Sequence, residues 1–439
     1  MIKKIDFEGD QTMNKSILKS QFKSAIKRGT GQAQLILQAH PKLNVSRSII
    51  KAALHNHSYD NQAEGSRADY VFELIQLSKH QAKIRRAILK TLAREKKDIG
   101  ALNQLFDLVA LYARQGDEVA RRAMYKRFYK KTIWGAELIG EEAIIEMDGL
   151  EGLKYVAGVK GKIIQNDPEE CDDSFMLDYF QENNPDIDVY AAFEQAAKSD
   201  HALKTYFDTI LANKFSVHKR ERPRYNYSIV TEKINIGAIV PLPPAGAKEL
   251  SKSDIKKLAN DFLKETDRLR QEKYLRVFDR VKFPYDHQVI LNIARGKNKR
   301  KDRLIEFAVK ALKYFSDQAI REFALNIIPK AKHPADYTNL LVSNYRDGDG
   351  KLLEALVLKA KTQHKIHALV WSYVDIYKAN QTKDCQAPLL ALYHKMTCGV
   401  HRKEIVQIML KNDVLPERIH QELRYDSYAE TRQLITTSH

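Results

Sequence analysis

The sequence predicts an all-α chain built from helical hairpins, on three observations. Apolar residues recur at three- and four-residue steps through most of the length. Glycine (18) and proline (12) are scarce in 439 residues, whereas sandwiches, barrels and doubly wound sheets need many turns. Hydrophobic residues make up 44% and charged residues 29%, a globular composition rather than a disordered one. The length exceeds one compact core, so two or three domains or an elongated array are expected.

Taken in order, residues 101–112 place Leu102, Leu105, Phe106, Leu108, Val109 and Tyr112 on one helical face. Residues 118–131 carry Ala120, Met124 and Phe128 on one stripe and Arg122, Lys126 and Lys130 on another. Residues 255–280, 303–314, 318–329, 351–360 and 365–379 follow the same period, as helices joined by short polar turns do in α-hairpin arrays. Two stretches break the pattern. Residues 225–246 mix β-branched residues with three prolines and two glycines, which predicts a short extended segment and then a stiff linker. The stretch from Gly149 to Pro185 is acidic and loop-rich. The expected division is therefore an N-terminal helical domain (1–224), a segment at 225–249 and a C-terminal domain (250–439).

Residues 304–329, LIEFAVKALKYFSDQAIREFALNIIP, set Ala308, Ala311 and Leu312 on one face, then Asp317 in a turn, then Ile320, Arg321, Ala324, Leu325 and Ile328. This resembles a HEAT-type repeat, whose second helix opens on a turn Asp and carries an Arg near its start. The Asp caps the helix through its free N–H groups, and the Arg pairs with carboxylates of the neighbouring repeat. Fainter echoes lie at 105–128, with Asp117, Arg121 and Arg122, and at 423–434, with Asp426 and Arg432. The resemblance implies a HEAT-like α-solenoid of antiparallel helix pairs, with a long concave surface suited to binding proteins or nucleic acids.

Net charge is +17, from 73 Lys and Arg against 56 Asp and Glu, and it is segregated. Residues 137–200 hold 17 acidic and 4 basic side chains, leaving the rest of the chain strongly basic. A basic field draws polyanions. Its densest clusters are Lys297, Lys299, Arg300, Lys301 and Arg303, and Lys219, Arg220, Arg222 and Arg224 followed by Tyr225 and Tyr227. Cations beside aromatics suit phosphate contact with base stacking. Arg121, Arg122, Lys126 and Arg127 form a third group. Each also reads as a solvated surface.

Chemistry-bearing signatures are few. The sequence has no Walker A, G-x-S-x-G, H-E-x-x-H or G-x-G-x-x-G pattern. His55-Asn56-His57 lacks the spacing of a nuclease metal motif, and Asp167, Glu169, Glu170, Asp172 and Asp173 depart from the EF-hand loop. The three cysteines, Cys171, Cys385 and Cys398, fit no zinc spacing and no disulfide framework. Cys398 and His401 stand one turn apart with no second pair nearby, so neither a metal nor a cofactor is expected. In Tyr59–Tyr70, Ser66 and Asp69 predict a capping box, while the same stretch as a loop would offer binding groups.

Trp371 and Asp375, four residues apart on one helix face, resemble the Trp-x-x-x-Asp element of HEAT-repeat alkylpurine DNA glycosylases. That resemblance implies an electrostatic role for Asp375 and an aromatic one for Trp371, with Trp134 the only other indole. The plainer alternative makes Trp371 a core aromatic and Asp375 the partner of a neighbouring repeat.

No apolar stretch approaches membrane-spanning length and MIKKIDFEGD has no apolar leader core, so the expected compartment is the cytoplasm. Together these observations predict a non-enzymatic scaffold that binds a protein partner. A nucleic-acid-binding protein is the alternative, and a glycosylase-like enzyme the third reading.

Overall fold

The computed structural model describes residues 15–130, 138–167, 172–214, 224–238, 242–297 and 302–435. Among them are 26 α-helices and no strand, so the chain is all-α. None of the described helices is long and apolar enough to cross a membrane. Two compact units emerge: residues 1–220 with 421–439, and residues 221–420.

The first unit runs α1 (Lys15–Arg28), α2 (Gln32–Ala39), α3 (Ser46–Leu54), α4 (Asn61–Glu64), α5 (Ala68–Leu77), α6 (Gln81–Leu92), α7 (Ile99–Arg114) and α8 (Glu118–Phe128). It continues with α9 (Glu141–Asn166), α10 (Phe175–Asn183), α11 (Val189–Ala197) and α12 (His201–Lys214). Two files of helices face each other. In one, α1 touches α3, α3 touches α6 and α6 touches α8; in the other, α2, α5, α7 and α9 follow one another. Their shared core includes Phe22, Ile49, Leu74, Ile88, Leu105, Val109 and Met124. A smaller core around Leu153, Phe193, Tyr206 and Ile210 joins α9 to α10, α11 and α12. Gly161 makes the α9–α12 contact possible, because a Cβ there would lie 1.9 Å from the Ala202 carbonyl oxygen.

The second unit holds α13 (Tyr227–Asn235), α14 (Pro244–Glu249), α15 (Lys252–Lys264), α16 (Arg268–Phe278), α17 (Gln288–Ala294), α18 (Leu304–Leu312) and α19 (Gln318–Ile327). After these come α20 (Ala335–Thr338), α21 (Gly350–Lys359), α22 (Gln363–Ala379), α23 (Gln386–Lys395) and α24 (Gly399–Lys411). Again the contacts link helices two apart: α16 with α18, α18 with α20, α20 with α22, α22 with α24. At the centre α18 buries Leu304, Ile305, Phe307, Val309 and Leu312. Burying each large side chain contributes about 1.5–3 kcal/mol, more than any exposed ion pair.

Caps and arginine forks set the helix boundaries. Asp98, Asp117, Asp188 and Asp317 each accept hydrogen bonds from the first turn of the following helix. Arg85 of α6 grips Asp117, the cap of α8, with Nη2–Oδ1 at 2.6 Å. Arg268 of α16 forks onto Asp302, just before α18, at 2.9 and 3.0 Å. Arg321 of α19 forks onto Asp349, just before α21, at 2.6 and 2.9 Å. In each case an arginine ties its helix to the start of the helix two further on.

Four local expectations are corrected. The acidic stretch 149–185, expected to be loop-rich, is helical through Asn166 in α9 and again over Phe175–Asn183 in α10. The extended segment expected near 225–246 holds α13 instead: Asn226 caps it by accepting from Ile229 N–H at 3.0 Å, and Val230 and Ile234, one turn apart, are buried. Tertiary burial overrides the β-branched preference. The run 255–280 is two helices, because Asp267 accepts from Arg270 N–H at 2.9 Å and starts α16 afresh. Ser66 forms no capping box with Asp69; α5 starts two residues later, and the Ser66 hydroxyl donates to Asp107 of α7.

Residues 421–435 complete the first unit. After α25 (Glu417–Leu423), Ser427 N–H donates to the Gly29 carbonyl at 2.8 Å, and Arg432 of α26 (Ala429–Gln433) pairs with Glu73 of α5 at 3.1 Å. Gly31 is needed here, since a Cβ would strike the Glu422 carbonyl oxygen at 2.0 Å.

Candidate functional site

The file α1–α3–α6–α8 carries the most one-sided charge in the described chain. These helices read KSILKSQFKSAIKR, SRSIIKAAL, QAKIRRAILKTL and EVARRAMYKRF, with Glu118 the single carboxylate. Exposed cations recur at helical steps: Lys15, Lys19, Lys23 and Lys27 on α1; Arg47 and Lys51 on α3; Lys83, Arg86 and Lys90 on α6; Arg122 and Lys126 on α8. At 3.6 residues per turn, the stripes on α3, α6 and α8 lie opposite the buried ones. None of these eleven side chains has an acidic partner among the described residues. The remaining arginines of α6 and α8 are structural. Arg85 pairs with Asp117, Arg121 with Asp148 at 2.9 Å, and buried Arg127 donates to the Lys130 carbonyl at 2.7 Å. His57 registers the field: burial, then Arg67, His55, Lys27 and Lys51 push its pKa down to about 4.

The sequence-selected cations divide. Arg122 and Lys126 belong to this face, whereas Lys297, at the end of α17, and Arg224 are exposed in the second unit. Arg303 is held by Glu306 at 2.5 Å and lies over the Phe307 ring. Lys299, Arg300, Lys301, Lys219, Arg220 and Arg222 lie outside the described residues, as do Trp134, Cys171, Glu169 and Glu170. Tyr225 is buried, and Tyr227 donates its hydroxyl to Asp261 at 2.9 Å while Lys257 Nζ lies over its ring, 5.5 Å from the centroid. In the acidic block, Asp172 pairs with Lys160 at 2.9 Å.

Beside α4 lies a polar cleft of about 400 Å³, lined by residues that include Asn56, Ser66, Asn103, Asp107 and Gly140. Burial lifts Asp107 to about 6, against the hydrogen bond from Ser66, with Glu146, Glu142 and Asp69 adding repulsion. Asn56 donates to the Gly65 carbonyl at 3.0 Å, and Asp60 caps α4. The Tyr59–Tyr70 stretch thus forms a short capped helix at the rim of this cleft.

In the second unit Trp371 projects from α22 with 58% of its surface exposed, so it is no core aromatic. Its indole meets the His401 ring edge-to-face at 4.5 Å. Asp375, also exposed, makes no hydrogen bond or ion pair among the described residues. Its pKa is raised by surrounding protein, against Lys313 and Lys378. The expected pairing of Asp375 with a neighbouring helix is absent. Sequence spacing offered only Cys398 and His401, whose Sγ and Nδ1 are 3.2 Å apart. The fold adds His367 from α22, its ring 4.3 Å from that of His401. One ligating atom from each of the three lies within 4.8 Å of the other two.

The fold and these surfaces define an all-helical protein with a basic helix face in one unit and a histidine–cysteine cluster in the other. Neither a protein family, nor a curated protein, nor a solved structure matches the chain.

Proposed function

We propose that this protein is a non-enzymatic scaffold of HEAT-like helix pairs that holds a nucleic acid, through its phosphate backbone, on the α1–α3–α6–α8 face. The observation that carries the reading is the row of eleven exposed, unpaired cations on four adjacent helices with one carboxylate among them. A surface meant only for solubility mixes charges of both signs. Contact with phosphates releases counterions, so affinity falls steeply with salt and the contacts select no sequence. The helices are already ordered, so binding adds no backbone ordering cost, although each long side chain that is immobilised costs about 0.5–1.5 kcal/mol.

Fluorescence anisotropy with a labelled duplex at several salt concentrations tests the reading. The log–log slope should drop by about 0.9 for each contacted cation removed, so Lys83→Ser, Arg86→Ser and Lys90→Ser together should flatten it by nearly 3. These side chains are exposed and have no acidic partner among the described residues, so the variant should fold as the parent does. No binding at low salt, or an unchanged slope in the variant, refutes the proposal.

A protein partner is the second reading, and one observation favours it. Phe175 and Tyr179 on α10 are 70% and 59% exposed and stack at 6.0 Å within the acidic block. An exposed aromatic pair in an acidic stretch of chain suits a basic protein segment better than a nucleic acid.

A further inference from the structure

We propose that His367, Cys398 and His401 form a binding site for a single zinc ion, with three protein ligands and a fourth position open to water. The three residues come from two packed helices. His367 lies in the second turn of α22, Cys398 immediately precedes α24, and His401 lies in its first turn. The ligating atoms all lie within 4.8 Å of one another, and the closest pair is already at 3.2 Å. Tetrahedral zinc, with Zn–N near 2.0 Å and Zn–S near 2.3 Å, needs ligand atoms about 3.3–3.6 Å apart. Side-chain rotation of His367, the least buried of the three, would close the difference.

The donor set selects the metal. One thiolate and two imidazoles, with no carboxylate in the group, suit zinc rather than magnesium or calcium, which take oxygen ligands. The frame around Cys398 is fixed. Arg402, wholly buried, donates to the Thr397 carbonyl at 3.0 Å, and the Thr397 hydroxyl donates to Gln363 Oε1 at 2.8 Å. Gln363 in turn donates to the Lys395 carbonyl at 2.9 Å, which ties the start of α22 to the loop bearing Cys398. Such supports orient ligands, and losing one alone costs 10–100-fold in affinity at other metal sites. Cys398 occupies the N-cap position of the thirteen-residue α24, so its backbone is fixed at the end of a packed helix. Binding is an exchange: Zn²⁺ takes the Sγ lone pair, the thiol proton leaves to solvent, and both imidazoles bind neutral.

The test uses the full chain carrying Trp134→Phe, so that Trp371, beside His401, is the only indole. After chelator treatment, zinc should bind at one per chain with release of one proton. Cobalt should bind at the same site, give a thiolate-to-cobalt charge-transfer band and quench Trp371 fluorescence. His367→Gln should weaken zinc binding at least about 100-fold, more than loss of a supporting partner. Cys398→Ser should remove the charge-transfer band. Because Cys398 and His401 are buried and their variants can misfold, His367→Gln, at the edge of the cluster, is the deciding variant. No saturable binding in the parent overturns the proposal, as does equal affinity in His367→Gln or a charge-transfer band that survives in a folded Cys398→Ser.

Discussion

Replacing Asp107 with asparagine isolates one buried ionisation. In the folded chain burial raises this carboxyl from 3.8 to about 6, and the Ser66 hydrogen bond offsets only part of the rise. Because the folded pKa is the higher, the native state holds the proton more tightly than the unfolded chain. The stability it contributes is complete below pH 3.8 and is lost as pH rises through 6. A gap of roughly two pH units corresponds to about 3 kcal/mol at 1.36 kcal/mol per unit. Asparagine keeps the shape and still accepts from Ser66, but never charges. The variant should therefore match the parent near pH 4 and exceed it by about 2–3 kcal/mol near pH 8. His57 works in the opposite sense: its folded pKa lies near 4, below 6.5, so its contribution is lost as pH falls through that window. That contribution is common to both proteins and cancels in their difference. Urea unfolding of parent and variant across this range measures the gap. A difference that stays constant with pH, or vanishes at high pH, refutes a raised Asp107.

Two further substitutions probe the helix connections and the glycosylase resemblance. Arg321→Met strips the cation from Asp349, whose side chain is only 8% exposed, and should cost about 3 kcal/mol in denaturant unfolding. Adding Asp349→Leu should recover most of that loss, and an equally unstable double variant would show that the fork is not the cause. Asp375→Asn should leave stability within about 0.5 kcal/mol at neutral pH, since the carboxylate has no hydrogen bond or ion pair to lose among the described residues. Neither this variant nor the parent should release alkylpurines from alkylated DNA, and any release above a protein-free control would restore the enzymatic reading.

What could be read from the residues is what is local in the chain. Asp317 announces itself as a cap because its two hydrogen bonds reach only two and three residues onward, to Ala319 and Ile320. Arg321 was equally visible, but its partner Asp349 lies 28 residues away and follows only from the packing. At Asp117 the partner is Arg85, 32 residues upstream, while the nearby Arg121 turns to Asp148, and neither pairing follows from local spacing. Of the basic face only Arg122 and Lys126 stood out in the sequence, for a related reason. Cation density singled out the runs near 219–224 and 297–303, whereas the face depends on carboxylates being absent from four helices separated along the chain. His367 precedes Cys398 by 31 residues and meets it only because α22 packs on α24.

The closing of the first unit by residues 421–435 sets a timetable for synthesis. As the chain emerges from the ribosome, α1 and α2 appear first, yet the groups that meet Gly29, Gly31 and Glu73 are made only after the whole of residues 221–420. At roughly 5–20 residues per second, that delay lasts tens of seconds. The second unit has every residue it needs before the first can finish, so it is free to fold ahead of the unit that begins the chain. Meanwhile the Gly29–Gly31 turn between α1 and α2 waits uncovered on that side, a period in which a chaperone can bind. Joining residues 416–435 directly ahead of α1, with the chain cut before α25, would remove the wait and should speed appearance of the native first unit, because loop closure across nearly 400 residues is no longer required.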